Sequence, residues 1–123
     1  MYNRIILIGN LTKDPELRYT PQGTPVGNFR LAVNSKRKQG DEWIDDPLFI
    51  DVVLIGSVAE TCNQYLVKGN QVLVEGRLQE RRWESEGQKR SKIEVIAQSV
   101  RFLGKKKEGN GETNSYDDGP EPF

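Results

Sequence analysis

Residues 72–83, VLVEGRLQERRW, bring three arginines and a tryptophan together in one short segment. Apolar and polar side chains alternate through its first half, and a period of two predicts a half-buried β-strand. The same period puts Leu78 on the buried face. Arg77, Arg81 and Trp83 then share the polar face. Guanidinium groups hold phosphates and an indole stacks on a base, so this face suits a single-stranded nucleic acid. The alternative is that Trp83 fills a core and the arginines protect a sheet edge from pairing.

The sequence lacks the residue types on which most enzymes and metal sites depend. The 123-residue chain has no histidine, which is the commonest general base and metal ligand. Its single cysteine, Cys62, has no histidine with which to form a zinc site or a catalytic dyad. No glycine-rich loop ends in Gly-Lys-Ser or Gly-Lys-Thr to cradle a phosphate. We therefore expect a protein that is not an enzyme and that needs no cofactor or metal.

The net charge of zero hides a difference between two parts of the chain. Residues 1–104 carry 15 basic and 13 acidic side chains, whereas residues 105–123 carry 3 and 5. We expect residues 1–104 to form one folded domain and the glycine-rich, acidic residues 105–123 to be a disordered tail. A lone cysteine, the lack of a membrane-spanning apolar run and the lack of a signal peptide predict a cytoplasmic protein.

The pattern along residues 1–104 predicts an all-β fold with one helix. Three strands, a helix and two more strands, with short lengths and glycine bends, indicate a five-stranded Greek-key barrel of the OB type. We expect strands at residues 3–11, 25–34, 48–55, 71–83 and 91–102, a helix at residues 57–66 between strands three and four, and a polar loop at residues 35–46.

Two local patterns carry finer expectations. Ser57 and Glu60 have the S-x-x-E spacing of a capping box, and Cys62 and Tyr65 continue an apolar stripe along the helix. The third strand, residues 48–55, is almost continuously apolar, which predicts that both of its faces are covered.

The chain resembles bacterial single-stranded DNA-binding proteins over most of residues 2–104. The resemblance rests on four segments in the order of that family: IILIGNLTKDPELRYTPQGTPVGNFRLAV, DVVLIGSVAE, YLVKGNQVLVEGRL and RRW. It implies an OB-fold, a homotetramer, and single-stranded DNA that wraps around the tetramer and is protected during replication, recombination and repair. It also implies that the C-terminal tip docks onto replication and repair proteins.

The resemblance assigns base stacking to Trp83 and Phe49, and places Arg82 and Lys68 along the DNA path. Arg37 stands where some members of the family have another tryptophan, and Ile55 stands where some have a phenylalanine. Fewer aromatic side chains shift binding toward cation–π and phosphate contacts.

The residue pattern adds further candidate contacts. Trp43 lies in the same polar loop as Arg37 and is a candidate replacement for the tryptophan missing there. Tyr19 lies between two turns, where it either stacks on a base or covers the edge of the barrel. The candidate phosphate contacts are Arg4, Arg18, Arg30, Lys36, Arg37, Lys68, Arg77, Arg81, Arg82, Lys89 and Arg90.

The last seven residues, DDGPEPF, resemble the docking tip of the family but interrupt its run of acids with Gly119 and Pro120. The acids and the terminal Pro–Phe pair are retained. The predicted partner-docking residues are Asp117, Asp118, Glu121, Pro122 and Phe123.

Two other functions remain open at this point. The first is an OB-fold RNA-binding or primosome-type accessory protein, for which the acidic Pro–Phe tip has no evident use. The second is a structural OB oligomerisation module, for which the arginine–tryptophan strand has no evident use. Sequence-independent binding of single-stranded DNA accounts for both features.

Overall fold

The computed structural model describes residues 1–104. In chain order the elements are β1 (Ile5–Leu11), β2 (Glu16–Tyr19), β3 (Pro25–Val33), β4 (Lys36–Gln39), β5 (Glu42–Asp45), β6 (Leu48–Ile55), α1 (Ser57–Tyr65), β7 (Gln71–Ser85) and β8 (Gln88–Gly104). Among these residues no helix combines the length and apolarity that crossing a membrane requires. The predicted docking residues Asp117, Asp118, Glu121, Pro122 and Phe123 lie outside the described residues.

Five strands pair in a closed ring. β1 pairs with β7, β7 with β8, β8 with β6, β6 with β3, and β3 pairs back with β1. Every pairing is antiparallel except β6 with β8, and β2 adds to the free side of β3. This is the five-stranded Greek-key barrel of the OB type, with α1 between the third and fourth barrel strands, and the predicted fold is confirmed.

The barrel core follows from the alternation of side chains along each strand. Phe29 and Leu31 of β3 and Val52 and Leu54 of β6 point inward and are fully buried, together with valines from β7 and β8. The helix adds Ala59 and Cys62 to the same core. Burial raises the pKa of the Cys62 thiol to about 11, so Cys62 is the unreactive core residue that its position predicted.

A glycine allows β7 and β8 to approach closely where the ladder shifts register. The shift lies between Glu75 and Gly76, and a Cβ at Gly76 would stand 2.1 Å from the carbonyl oxygen of Ile96. Any other residue there would force the backbones apart. Beyond Gly76, β7 pairs with β8 alone, so the two strands extend as an arm that ends in a tight turn at Glu86 and Gly87.

The prediction of a polar loop at residues 35–46 is wrong in part. Residues 36–45 form a two-stranded hairpin, β4 with β5, that turns at Gly40 with φ +66°. All four residues of β4 are exposed, so the strand has no apolar alternation from which it could be predicted. Ion pairs from Lys36 to Asp45 and from Arg37 to Asp46 join its two arms.

The helix and the third barrel strand also differ from expectation. The N-cap of α1 is Gly56 rather than Ser57, and glycine has no side chain with which to form a capping bond. Glu60 instead accepts a hydrogen bond from the Tyr19 hydroxyl. Tyr65 was expected in the apolar stripe but is exposed. In β6, Phe49 and Ile55 are about half exposed, so one face of this strand is open to solvent.

Candidate nucleic-acid interface

The outward side chains of β3 and β6 lie side by side because the core takes every second residue of both strands. Arg30 stands opposite Asp51, and Ala32 stands opposite Phe49. β8 adds its own outward residues on the other side of β6, where Glu94 is in register with Asp51. Together with β2 and β7 these strands line an open concavity of about 300 Å³, here called the concave face. Its lining residues are Arg18, Val26, Gly27, Asn28, Asp51, Val53, Arg81, Lys92 and Glu94.

Asp51 is the electrostatic centre of the concave face. Its carboxylate accepts a hydrogen bond from Arg30 Nη1 at 3.0 Å and another from Lys92 Nζ. Partial burial works to raise the pKa of Asp51, but the hydrogen bonds and charges of Lys92 and Arg30 outweigh it and hold the pKa below its usual value. Asp51 is therefore ionised at neutral pH and fixes a cation from each of two neighbouring strands.

A second carboxylate lies beside the first. Glu94 is only 4% exposed, and its Oε1 lies 3.5 Å from Arg81 Nε. Since Arg81 and Glu94 come from the paired strands β7 and β8, this ion pair continues the charge network across the concave face. Three cations and two carboxylates thus alternate over four strands.

Two aromatic side chains flank the network. Phe49 is 49% exposed, and the guanidinium carbon of Arg30 lies 5.7 Å from its ring centroid. Trp83 is 38% exposed, and the guanidinium carbon of Arg81 lies 4.8 Å from its ring. Both distances fall within the range of a cation–π contact. Each aromatic ring thus remains partly exposed to solvent while it contacts an arginine.

Beyond Trp83 the arm of β7 and β8 carries a basic groove. Arg82, Trp83, Lys89 and Arg90 line it, together with Glu84 and Ser91. Arg82 forms an ion pair with Glu80, whereas no ion pair within residues 1–104 involves Lys89 or Arg90. Arg90 stands opposite Trp83 and therefore shares the face of Arg81 and Lys92, whereas Lys89 lies on the opposite face of the arm. The arm thus adds Arg90 to the cations of the concave face. Arg77 is exposed on β7, and so is Leu78, which was predicted to be buried.

Several predicted site residues lie away from the concave face. Trp43 is 63% exposed and stands opposite Lys38 on the hairpin of β4 and β5. Arg4 lies 3.6 Å from Glu75 beside β1. Lys68 follows α1, where its backbone N–H donates to Asp14. Lys36 and Arg37 are held in ion pairs within the hairpin.

Tyr19 faces α1 rather than the concave face. Its hydroxyl donates to Glu60 at 3.0 Å, and this hydrogen bond raises the pKa of Tyr19. The neighbouring Arg18 lines the concave face, as expected for adjacent residues of a strand.

Sequence reasoning missed the polar centre of the site: Asn28, Asp51, Lys92 and Glu94. The signal for Asp51 was present, because it is the only charged residue in the apolar run LFIDVVLI. Lys92 and Glu94 alternate with Ile93 and Val95. That alternation predicts that Lys92 and Glu94 point outward, but it does not predict which residues they pair with.

Comparison with known proteins gives one consistent result. Residues 2–103 match the model of the Single-strand binding protein family. The chain is 49% identical over 102 residues to a single-stranded DNA-binding protein of Treponema pallidum, an alignment that covers 83% of this chain and 58% of the relative. It is 44% identical over 127 residues to a single-stranded DNA-binding protein of Wolinella succinogenes, with 98% of this chain and 78% of the relative covered. The chain thus spans less than two thirds of the Treponema relative.

The network at Asp51 predicts a loss of stability in acid. Because the folded protein holds the pKa of Asp51 below 3.8, the ionised carboxylate stabilises the fold above that pH. The contribution disappears as the pH falls through the lowered pKa. Asp51→Asn removes it at every pH, so the free energy of unfolding should be lower at neutral pH and should change less in acid. Urea denaturation at a series of pH values measures both effects.

Asp41→Asn is the matched control. Asp41 is exposed at the tip of the β4–β5 hairpin and forms no ion pair within residues 1–104. This variant should follow the pH profile of the unchanged protein. If Asp51→Asn also followed that profile, the carboxylate would contribute nothing to acid-dependent stability.

Proposed function

The chain belongs to the Single-strand binding protein family, and from this premise we propose that it binds single-stranded DNA without regard to sequence. The observation that carries the proposal is the pair of exposed aromatic rings, Phe49 and Trp83, at the flanks of the concave face. Each ring lies beside an arginine, and aromatic rings on a surface with cations are typical of proteins that stack the bases of single strands. Every base has a π-face, so stacking of this kind is insensitive to sequence.

The same surface supports a binding role rather than a catalytic one. The three cations at its centre have carboxylate partners, and Trp83 and Phe49 offer apolar rings, so the site presents groups that hold a strand without reacting with it. We propose that the protein covers single strands during replication, recombination and repair, in the cytoplasm with the nucleoid, and that it uses no cofactor.

We also propose a homotetramer. Outside the concave face, β1 presents the exposed side chains of Ile6 and Ile8, and the far end of β8 presents Phe102 and Leu103. Exposed apolar groups of this kind are typical of association surfaces. Sedimentation equilibrium should give about four times the 14.0 kDa chain mass, and Ile8→Asp should reduce it. Ile55→Asp, at an exposed isoleucine of β6, is the control that should leave the mass unchanged. A 14.0 kDa species for the unchanged protein would contradict the proposal.

For the tail we propose docking onto replication and repair proteins through Asp117, Asp118, Glu121, Pro122 and Phe123. The acids suit a basic patch on the partner, and the terminal phenylalanine suits an apolar pocket. Removing residues 120–123 should abolish capture of these partners and leave the affinity for oligo-dT equal or slightly higher. Capture of the same partners without residues 120–123, or loss of DNA binding, would contradict this assignment.

Trp83→Ala should weaken binding to oligo-dT by about 1–3 kcal/mol, the usual contribution of one stacked base. The variant removes the indole beside Arg81 and leaves the cations of the arm in place. Anisotropy of a labelled oligo-dT measures the affinity. In a Trp43→Phe background, quenching of the remaining tryptophan fluorescence on binding reports on Trp83 alone.

Tyr65→Ala controls for the loss of an exposed aromatic ring, since Tyr65 lies on α1 and does not line the concave face. It should leave the affinity unchanged. An unchanged affinity in folded Trp83→Ala protein would remove Trp83 from the binding site.

A further inference from the structure

The centre of the concave face is less basic than its arginines and lysine suggest. Arg30, Lys92 and Arg81 contribute three positive charges, but Asp51 and Glu94 pair with all three. The side chain of Asp51 is 24% exposed and that of Glu94 is 5% exposed. Each carboxylate therefore lies beneath the cations that it holds. A phosphate that approached the centre would meet cations already engaged and two negative charges close behind them.

The remaining polar group of the centre is also an acceptor. Asn28 Oδ1 is buried and has no hydrogen-bond partner within residues 1–104. Asn28, Asp51 and Glu94 line the same concavity. Phosphate oxygens are acceptors too and cannot bond to the two carboxylates or to this amide oxygen, whereas the edges of bases carry N–H donors. The chemistry of the centre thus favours a base over a phosphate.

Available cations stand around this centre. Arg18 lines the concavity, and Arg90 lies on the arm on the same face as Lys92, two residues away. Neither Arg18 nor Arg90 forms an ion pair within residues 1–104, in contrast to Arg30, Lys92 and Arg81. The structure therefore separates engaged cations at the centre from free cations at the rim.

We propose that Asp51, with Glu94 behind it, is a specificity-determining residue that keeps the phosphate backbone out of the centre of the concave face and leaves that centre to bases. The backbone then follows the rim, at Arg18 and Arg90. The inference rests on the proposed function, because it states how the same site divides a bound strand between bases and phosphates. It also assigns Arg30 to orienting Phe49 rather than to holding a phosphate.

Asp51→Asn tests the proposal because it removes the charge and keeps the shape and an acceptor oxygen. Arg30 and Lys92 then become available to phosphates. For each cation gained, the plot of log affinity against log salt should steepen by about 0.7, the value for single strands. Affinity for oligo-dT at low salt should rise as a result. Anisotropy of labelled oligo-dT, measured between about 50 and about 200 mM salt, gives both the slope and the affinity. Over that range, each added phosphate contact should make the loss of affinity about threefold larger than in the unchanged protein.

Glu16→Gln is the charge-matched control. Glu16 pairs with Lys13 at 3.7 Å, is well exposed and does not line the concavity, yet its substitution changes the net charge by the same amount. It should leave the salt slope unchanged. An equal steepening in both variants would make the effect one of net charge and would overturn the proposal. A slope for folded Asp51→Asn equal to that of the unchanged protein would overturn it as well.

Lys92→Gln provides a test that does not depend on how well Asp51→Asn folds. With Asp51 present, Lys92 is engaged, so its loss should leave the salt slope nearly unchanged, whereas Arg90→Gln should reduce the slope by about 0.7. In the Asp51→Asn background, Lys92→Gln should reverse part of the steepening. A reduction of about 0.7 by Lys92→Gln with Asp51 in place would overturn the proposal. Failure of the unchanged protein to bind oligo-dT would instead refute the proposed function itself.

Discussion

The ring of strands depends on a parallel pairing of only three residues between β6 and β8. Asp51, Val52 and Val53 of β6 stand in register with Glu94, Val95 and Ile96 of β8. The middle pair, Val52 and Val95, is fully buried, so this short ladder also carries part of the core. Because side chains alternate, burial of the middle pair turns Asp51 and Glu94 outward onto one surface. The parallel pairing of β6 with β8 therefore brings together the two carboxylates around which the concave face is organised.

The charges of the concave face follow from that geometry. Once Asp51 is fixed between β3 and β8, Arg30 reaches it from one side and Lys92 from the other. Arg30 then lies near Phe49, while Arg81 lies between Glu94 and the ring of Trp83. The ion pairs hold Arg30 and Arg81 beside two aromatic rings that remain partly open to solvent. The side chains of this surface are therefore already fixed in position before a flexible polymer of similar units binds to it.

The barrel was predictable from sequence because period-two alternation and one helix between strands limit the topologies available. The β4–β5 hairpin was not, since β4 has no buried residue to reveal its period. The capping box was predicted wrongly because the helix has Gly56 as its N-cap, which places Ser57 inside the helix, while Glu60 bonds to Tyr19, a partner 41 residues away. The candidate site was likewise predictable only in part. Trp83 and its arginines were predictable from one strand, whereas the pairing of Arg30 and Lys92 with Asp51 depends on register among three strands.

The central claim is that single-stranded DNA lies on the concave face, and photo-crosslinking tests it most directly. Oligo-dT substituted with 5-iododeoxyuridine reacts with aromatic rings that stack on the modified base, and mass spectrometry locates the adduct. The account predicts adducts at Trp83 and Phe49. Tyr2 is more exposed than either, at 87%, and precedes β1. Adducts confined to Tyr2, with none at Trp83 or Phe49, would contradict the account.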